Sequence, residues 1–229
     1  MAVVVRFLLR RGCREIAEGF SPTDEALETG PQKSILRVGS IEYRPPIYPM
    51  KGSIMSRSGA VTFKGNPMTL AGDAVQTGKP APDFKLHFFK DGMQQLTLSD
   101  LKGKPTILSV VPSLDTPVCQ TQTKKFNESL GELGDRVNAV TVSLDLPFAM
   151  NRFCGAENIT NIRAASDYQD RSFGNNWGTL IEELKILCRA AFVLDADGNV
   201  VYAEYVPEVT SEPNYDAALE ALQGQLQAA

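Results

Sequence analysis

The chain has 229 residues, 43% hydrophobic and 22% charged, enough to bury a substantial core in one domain or two small ones. Its formal charge of -4 argues against a nucleic-acid-binding surface, which is ordinarily basic, and no run of 18 apolar residues is present to cross a membrane. Four cysteines, Cys13, Cys119, Cys154 and Cys188, are too sparse for a disulfide scaffold and lack C-x-x-C zinc spacing, while the single histidine, His87, excludes most histidine-based metal and triad chemistry.

Residues 1–55 carry 8 Lys and Arg against 6 Asp and Glu, the remainder 15 against 21. This first segment lacks sustained periodicity and closes in the turn-rich run Arg44-Pro45-Pro46-Ile47-Tyr48-Pro49. Ala2–Leu9 is apolar, but Arg6 interrupts it and no small-residue cleavage site follows, so it makes a poor secretory signal. Arg10-Arg11 is not followed by the apolar stretch that a twin-arginine signal needs. The expectation is a non-core extension over 1–55, disordered or not part of the native product, with Met55 as a candidate start. Residues 56–229 then form the folded domain.

From Met55 the pattern becomes regular. Val61–Phe63 and Met68–Leu70 flank Lys64-Gly65-Asn66-Pro67, which predicts a small N-terminal hairpin. Lys79-Pro80-Ala81-Pro82 leads into a strand over Asp83–Phe89, closed by the turn Asp91-Gly92. Ser99 is placed to cap a single helical turn within Leu96–Leu101. Thr106–Val111 and Val137–Leu144 are continuous β-branched runs, the signature of strands buried on both faces. Between them a helix is predicted from Pro117 to about Leu133, with Phe126, Leu130 and Leu133 on its inner face. A shorter helix starts at Pro147 and runs to Gly155. Ala190–Leu194 and Val200–Val206 flank Asp197-Gly198 as a second hairpin, and a last helix covers about Asn214–Leu226, with Ala218, Leu219 and Leu222 inward. The order β, helix, β, helix, hairpin, helix gives an α/β fold of thioredoxin-like type, a mixed central sheet flanked by helices.

The informative stretch is Pro112-Ser-Leu-Asp-Thr116-Pro117-Val118-Cys119. Thr116 suits an N-cap and Pro117 the first helical position. Cys119 then lies in the first turn and on the inner face, seven residues before Phe126. Free backbone N–H groups and the helix dipole favour an anion there, and the thiolate is the reactive form of cysteine. By itself a lone cysteine more often packs as a small hydrophobe. The strand-to-helix junction is, however, where α/β proteins place functional groups.

Pro112, Thr116 and Cys119 match P-x-x-x-T-x-x-C, and the chain thereby resembles the peroxiredoxins, most closely the bacterial thiol peroxidase branch of atypical two-cysteine enzymes. The resemblance extends through Val61–Gly65, Gly78–Phe84, Ser166–Tyr168, Phe173-Gly174 and Arg189–Asp195, covering about residues 56–225. It implies that Cys119 attacks the terminal oxygen of hydrogen peroxide or an alkyl hydroperoxide, leaving a sulfenic acid and releasing water or an alcohol. Thr116 would turn its hydroxyl to the sulfur, Pro112 would shield the pocket from water, and Arg189 would stabilise the thiolate and the charge on the leaving oxygen. Cys154, in Arg152-Phe153-Cys154-Gly155, matches the second cysteine, which would close an intramolecular disulfide reduced by thioredoxin. Because disulfide geometry is restrictive, one or both helix segments would unwind in each cycle.

The resemblance further implies a cytoplasmic homodimer acting in antioxidant defence, with no cofactor and no metal. Cys188 reads as packing, and His87 as pointing outward or packing on a strand. Asp115 reads as tightening its turn, and Asp115 and Asp167 are not needed as acid–base carboxylates. Trp177 stands where the family commonly has tyrosine, a change that could alter an oligomer interface or substrate access. A dithiol oxidoreductase on the same fold is disfavoured because Gln122, not cysteine, lies three residues after Cys119. A non-enzymatic binding module would be expected to lose Thr116, Cys119 or Arg189, and a cysteine hydrolase would need a supported histidine.

Overall fold

The structure, a computed structural model, describes residues 55–227 and, nearer the N-terminus, two short strands. The chain divides into two compact units, Met1–Pro49 and Met50–Ala229. In the first unit β1 (Arg37–Val38) pairs antiparallel with β2 (Ile41–Glu42). The other readings made for residues 1–54, Cys13 included, lie outside the described residues.

The second unit opens with β3 (Ser56–Phe63) and β4 (Asn66–Ala71), the expected hairpin. Its turn is only Lys64-Gly65, both at positive φ (51° and 78°), the primed geometry that follows the twist of paired strands. Then come β5 (Lys85–Phe89), β6 (Met93–Thr97) and a 3-10 turn at Leu98–Leu101. Ser99 does not cap that turn. The N–H and hydroxyl of Thr97 both donate to Asp100, at 2.7 and 2.8 Å. β7 (Thr106–Val110) is followed by α1 (Pro117–Leu130), β8 (Asn138–Ser143), α2 (Pro147–Ala156), β9 (Arg163–Ser166), α3 (Ser172–Asn176) and β10 (Leu180–Ile181). The chain ends in the hairpin β11 (Ala190–Leu194) and β12 (Val200–Tyr205), then α4 (Tyr215–Gln227).

Seven strands form the mixed central sheet in the order β12-β11-β7-β8-β9-β5-β6, with β7–β8 and β8–β9 parallel. Every residue of β7 and β11 is buried, in keeping with their uncharged, largely apolar sequences, because both faces are covered. Alternation splits β7 between two cores. Ile107 joins Phe126 and Leu130 of α1 and Ala218 and Leu222 of α4 on one face. Leu108 and Val110 join Leu70, Phe173, Trp177 and Phe192 on the other.

Four of these elements escaped the sequence reading: β6, β9, β10 and α3. β9 is Arg-Ala-Ala-Ser, with no β-branched residue, and is held by its neighbours rather than by propensity. α1 also stops at Leu130, sooner than expected; Gly131 closes it by donating to Glu128 O at 3.1 Å. Leu133 still packs on the core from beyond the helix, and Leu219 of α4 is half-buried. His87 is 3% exposed and edge-on to Tyr168; it packs and does not point outward. Trp177 is wholly buried, stacked on Phe173 at 4.8 Å, with its indole N–H on Pro82 O at 3.0 Å. The larger ring is a core feature, not part of a surface.

Candidate active site

β7 delivers the chain to a buried Val111-Pro112, and a short loop then turns into α1. Asp145, just past β8, ties this loop down. Its carboxylate accepts Ser113 Oγ at 2.8 Å, Leu114 N at 2.7 Å and Ser143 Oγ at 2.8 Å. Asp145, not Asp115, therefore tightens the turn; Asp115 is exposed, and the side-chain bond at that residue is its N–H donating to Ser113 Oγ at 3.2 Å.

Thr116 occupies the N-cap position with extended backbone, yet its side chain makes no capping bond. The hydroxyl lies 3.0 Å from Ser113 O and 2.9 Å from Cys119 Sγ. A hydroxyl has one proton and two lone pairs. Toward a thiol it accepts S–H and donates to Ser113; toward a thiolate its proton swings onto the sulfur. Cys119 itself is fully buried among Val111, Leu114 and Met150.

Arg189 is the second group on that sulfur. It is 2% exposed, immediately before β11. Its Nη2 donates to Cys119 Sγ at 3.3 Å, Nη1 to Gln122 Oε1 at 2.6 Å and Nε to Val209 O at 2.9 Å. Among the described residues no carboxylate makes an ion pair with it. The oxygens hydrogen-bonded to this guanidinium are both neutral, and a buried charge is costly without compensation; the Cys119 sulfur is the remaining partner within its reach.

Gln122 was missed as a site residue. One turn after Cys119, it is fully buried, accepts Arg189 and donates to Ser109 Oγ at 2.8 Å. The signal was a polar residue on the inward stripe through Cys119 and Phe126.

Thus Thr116, Cys119 and Arg189 converge. Pro112 is buried at the foot of the loop and borders a cavity of 430 Å³ with Leu144, Asp145 and Tyr168. Cys154 lies apart. It is half-buried on α2, packs against the Ile107–Phe126 cluster and is unbonded to Cys119. Burial pushes its thiol up, against an opposing bond from the Ala164 backbone. Cys188 is fully buried, with burial pushing its thiol up to about 12, in keeping with packing. Asp167 accepts Phe173 N at 3.0 Å and Gly174 N at 2.7 Å, which makes it a support for α3.

Residues 76–219 match the Redoxin family model. The chain is 51% identical over 161 residues to the thiol peroxidase of Bacillus subtilis, covering 70% of this chain and 95% of that one. It is 47% identical to the thiol peroxidase of Streptococcus parasanguinis, over 70% and 96% of the two chains. The chain belongs to the thiol peroxidase family. A peroxiredoxin-like protein of Aquifex aeolicus superposes with a TM-score of 0.67 at 41% identity, covering 76% of this chain and 99% of that one. As a thiol peroxidase the chain is a peroxiredoxin-type oxidoreductase on the thioredoxin-like fold. No described helix is long and apolar enough to cross a membrane.

Proposed function

We propose that Cys119 is the peroxide-reactive sulfur of residues 56–229, and that hydrogen peroxide and alkyl hydroperoxides are its substrates. Residues 1–55 lie outside this catalytic domain. The observation that carries the reading is the convergence on the Cys119 sulfur of Thr116 and a buried Arg189 that has no carboxylate ion pair among the described residues. The thiolate attacks the terminal oxygen and keeps it as the sulfenic acid, the O–O bond breaks, and the other oxygen leaves as water or an alcohol after taking a proton. Arg189 and Thr116 stabilise charge first on the sulfur and then on the leaving oxygen. Pro112, buried at the foot of the loop, limits water around the reacting sulfur.

Cys154 is the resolving cysteine in this reading. Its thiolate displaces water from the sulfenic acid and forms an intramolecular disulfide. A buried Cys119 and a Cys154 packed in a different cluster require the first turn of α1, the end of α2, or both to unwind first. Unwinding also removes the burial that holds the Cys154 thiol protonated. Thioredoxin then reduces the disulfide by dithiol exchange. The protein works as a cytoplasmic homodimer in peroxide defence.

Stopped-flow peroxide consumption with Cys119→Ser and Cys154→Ser tests this. The first variant is expected to show no turnover. The second should form sulfenic acid once and then stall in the presence of thioredoxin. Wild-type turnover by Cys119→Ser would sink the assignment.

A further inference from the structure

The N-terminal hairpin and the arginine meet through one loop, residues 206–210. Thr62 N donates to Pro207 O at 2.7 Å, and Val209 N donates back to Thr62 O at 2.8 Å. The same segment holds Arg189 twice. Val206 N donates to the Arg189 carbonyl at 2.9 Å, and the Val209 carbonyl accepts Arg189 Nε at 2.9 Å. Val209 is 1% exposed and shares the core of Val61, so its carbonyl has little freedom to turn.

Glu208 sits inside this loop and gathers five donors. Thr62 Oγ1 at 2.8 Å and Gly65 N at 3.0 Å reach one oxygen. Lys64 N at 3.0 Å, Thr210 N at 3.0 Å and Thr210 Oγ1 at 2.6 Å reach the other. One carboxylate therefore fastens the β3–β4 turn to the two residues that flank Val209. These donors hold its carboxyl well below the usual carboxylate range, so the tie stays ionised at working pH.

We propose that Glu208 is a positioning residue for the peroxide reaction: by joining the hairpin turn to Thr210 it holds the Val209 carbonyl that aims Arg189 at the Cys119 sulfur. The proposal rests on the reading of Cys119 as the peroxide-reactive group. The Arg189 contact to sulfur, at 3.3 Å, is the longest of its three side-chain bonds. Losing the Val209 acceptor frees one edge of the guanidinium, and with it the aim of Nη2 at the sulfur.

The test uses the full-length chain and two rates read separately: oxidation of Cys119 by hydrogen peroxide in a single turnover, and alkylation of Cys119 by iodoacetamide followed by peptide mass spectrometry. Glu208→Ala is expected to slow both about tenfold. Glu208→Gln, which keeps an acceptor oxygen, is expected to recover most of that loss. Glu183→Ala supplies the comparison, since Glu183 also fastens this hairpin, accepting Thr69 N at 2.9 and 3.0 Å, but on a strand with no tie to Val209. It should react at the wild-type rates. In an Arg189→Met background, Glu208→Ala should slow neither reaction further.

Wild-type rates in Glu208→Ala, or equal slowing with and without Arg189, would overturn the proposal. If Glu208→Ala does not fold, Thr62→Val carries the test in its place, with a rate loss of about threefold expected and unchanged rates overturning the proposal. A wild-type chain whose Cys119 ignores peroxide would refute the underlying reading, while the iodoacetamide comparison would still decide the positioning role.

Discussion

Gln122 shows how far a single side chain can bear on the reaction. Its amide oxygen takes Arg189 Nη1 and its amide nitrogen reaches Ser109 Oγ, so both ends of the group are committed inside the core. Gln122→Leu fills the same space but strands a guanidinium N–H and a serine hydroxyl. A buried polar group left without its partner costs about 2 kcal/mol, and urea unfolding of this variant should show a loss of that order. The variant should also slow Cys119 oxidation, because Arg189 then keeps only Val209 as a fixed acceptor. Unchanged stability together with an unchanged rate would contradict this account of the pocket. The cysteines divide by the same logic. Cys119 has two donors on its sulfur, whereas Cys188 is buried and its thiol is pushed up to about 12.

At the scale of elements, Cys119 and Cys154 sit on different helices, and each packs in its own cluster. α1 presents Cys119 to Val111, Leu114 and Met150, and α2 presents Cys154 to the opposite cluster, with Phe153 touching both. In the proposed reading, closing a disulfide between them is expected to break helical hydrogen bonds on at least one side. Hydrogen exchange read by mass spectrometry should show faster exchange across 147–156, 117–120, or both in the disulfide form than in the reduced form. Equal protection in the two forms would mean that the cysteines join without unwinding. The hairpin β3–β4 has a different part. Gly72 and Gly178, both at positive φ, allow its strand end to lie against the backbone after α3; a Cβ at Gly72 would strike the Asn175 carbonyl, and one at Gly178 the Asp73 carbonyl. This close approach seats the hairpin at the edge of the core that also contains Val209.

For the whole molecule, the pH dependence of stability has one distinctive contributor. Asp167 is fully buried, and burial pushes its carboxyl up to about 6 despite the bonds from Gly174, Phe173 and Ser172. In the unfolded chain the group titrates near 3.9. At pH 5 the native protein thus keeps this proton while the unfolded chain has lost it. The stabilisation is complete below about pH 4, is lost as pH rises to about 6, and amounts to about 3 kcal/mol in all. Asp167→Asn has no such titration. Denaturant unfolding of both proteins should show the wild type losing stability relative to the variant between pH 4 and 6; a constant difference across that range would rule out a raised Asp167.

Local chemistry was enough to place Cys119 beside Thr116 in the first turn of α1, because Pro112, Thr116, Pro117 and Cys119 lie within eight residues and their spacing alone sets the helix phase. Uncharged runs rich in β-branched and apolar residues likewise marked β7, β8 and β11, since a strand covered on both faces is predominantly apolar. β9 and α3 left no such trace: Arg-Ala-Ala-Ser and Ser-Phe-Gly-Asn-Asn take their shape from neighbouring strands and from Asp167. Arg189 was named through resemblance, but its partners Gln122, 67 residues away, and Val209, 20 residues on, became visible only in three dimensions. A buried charge is satisfied by whichever groups the fold brings within hydrogen-bond reach, and that reach is a property of the packed chain rather than of adjacent residues.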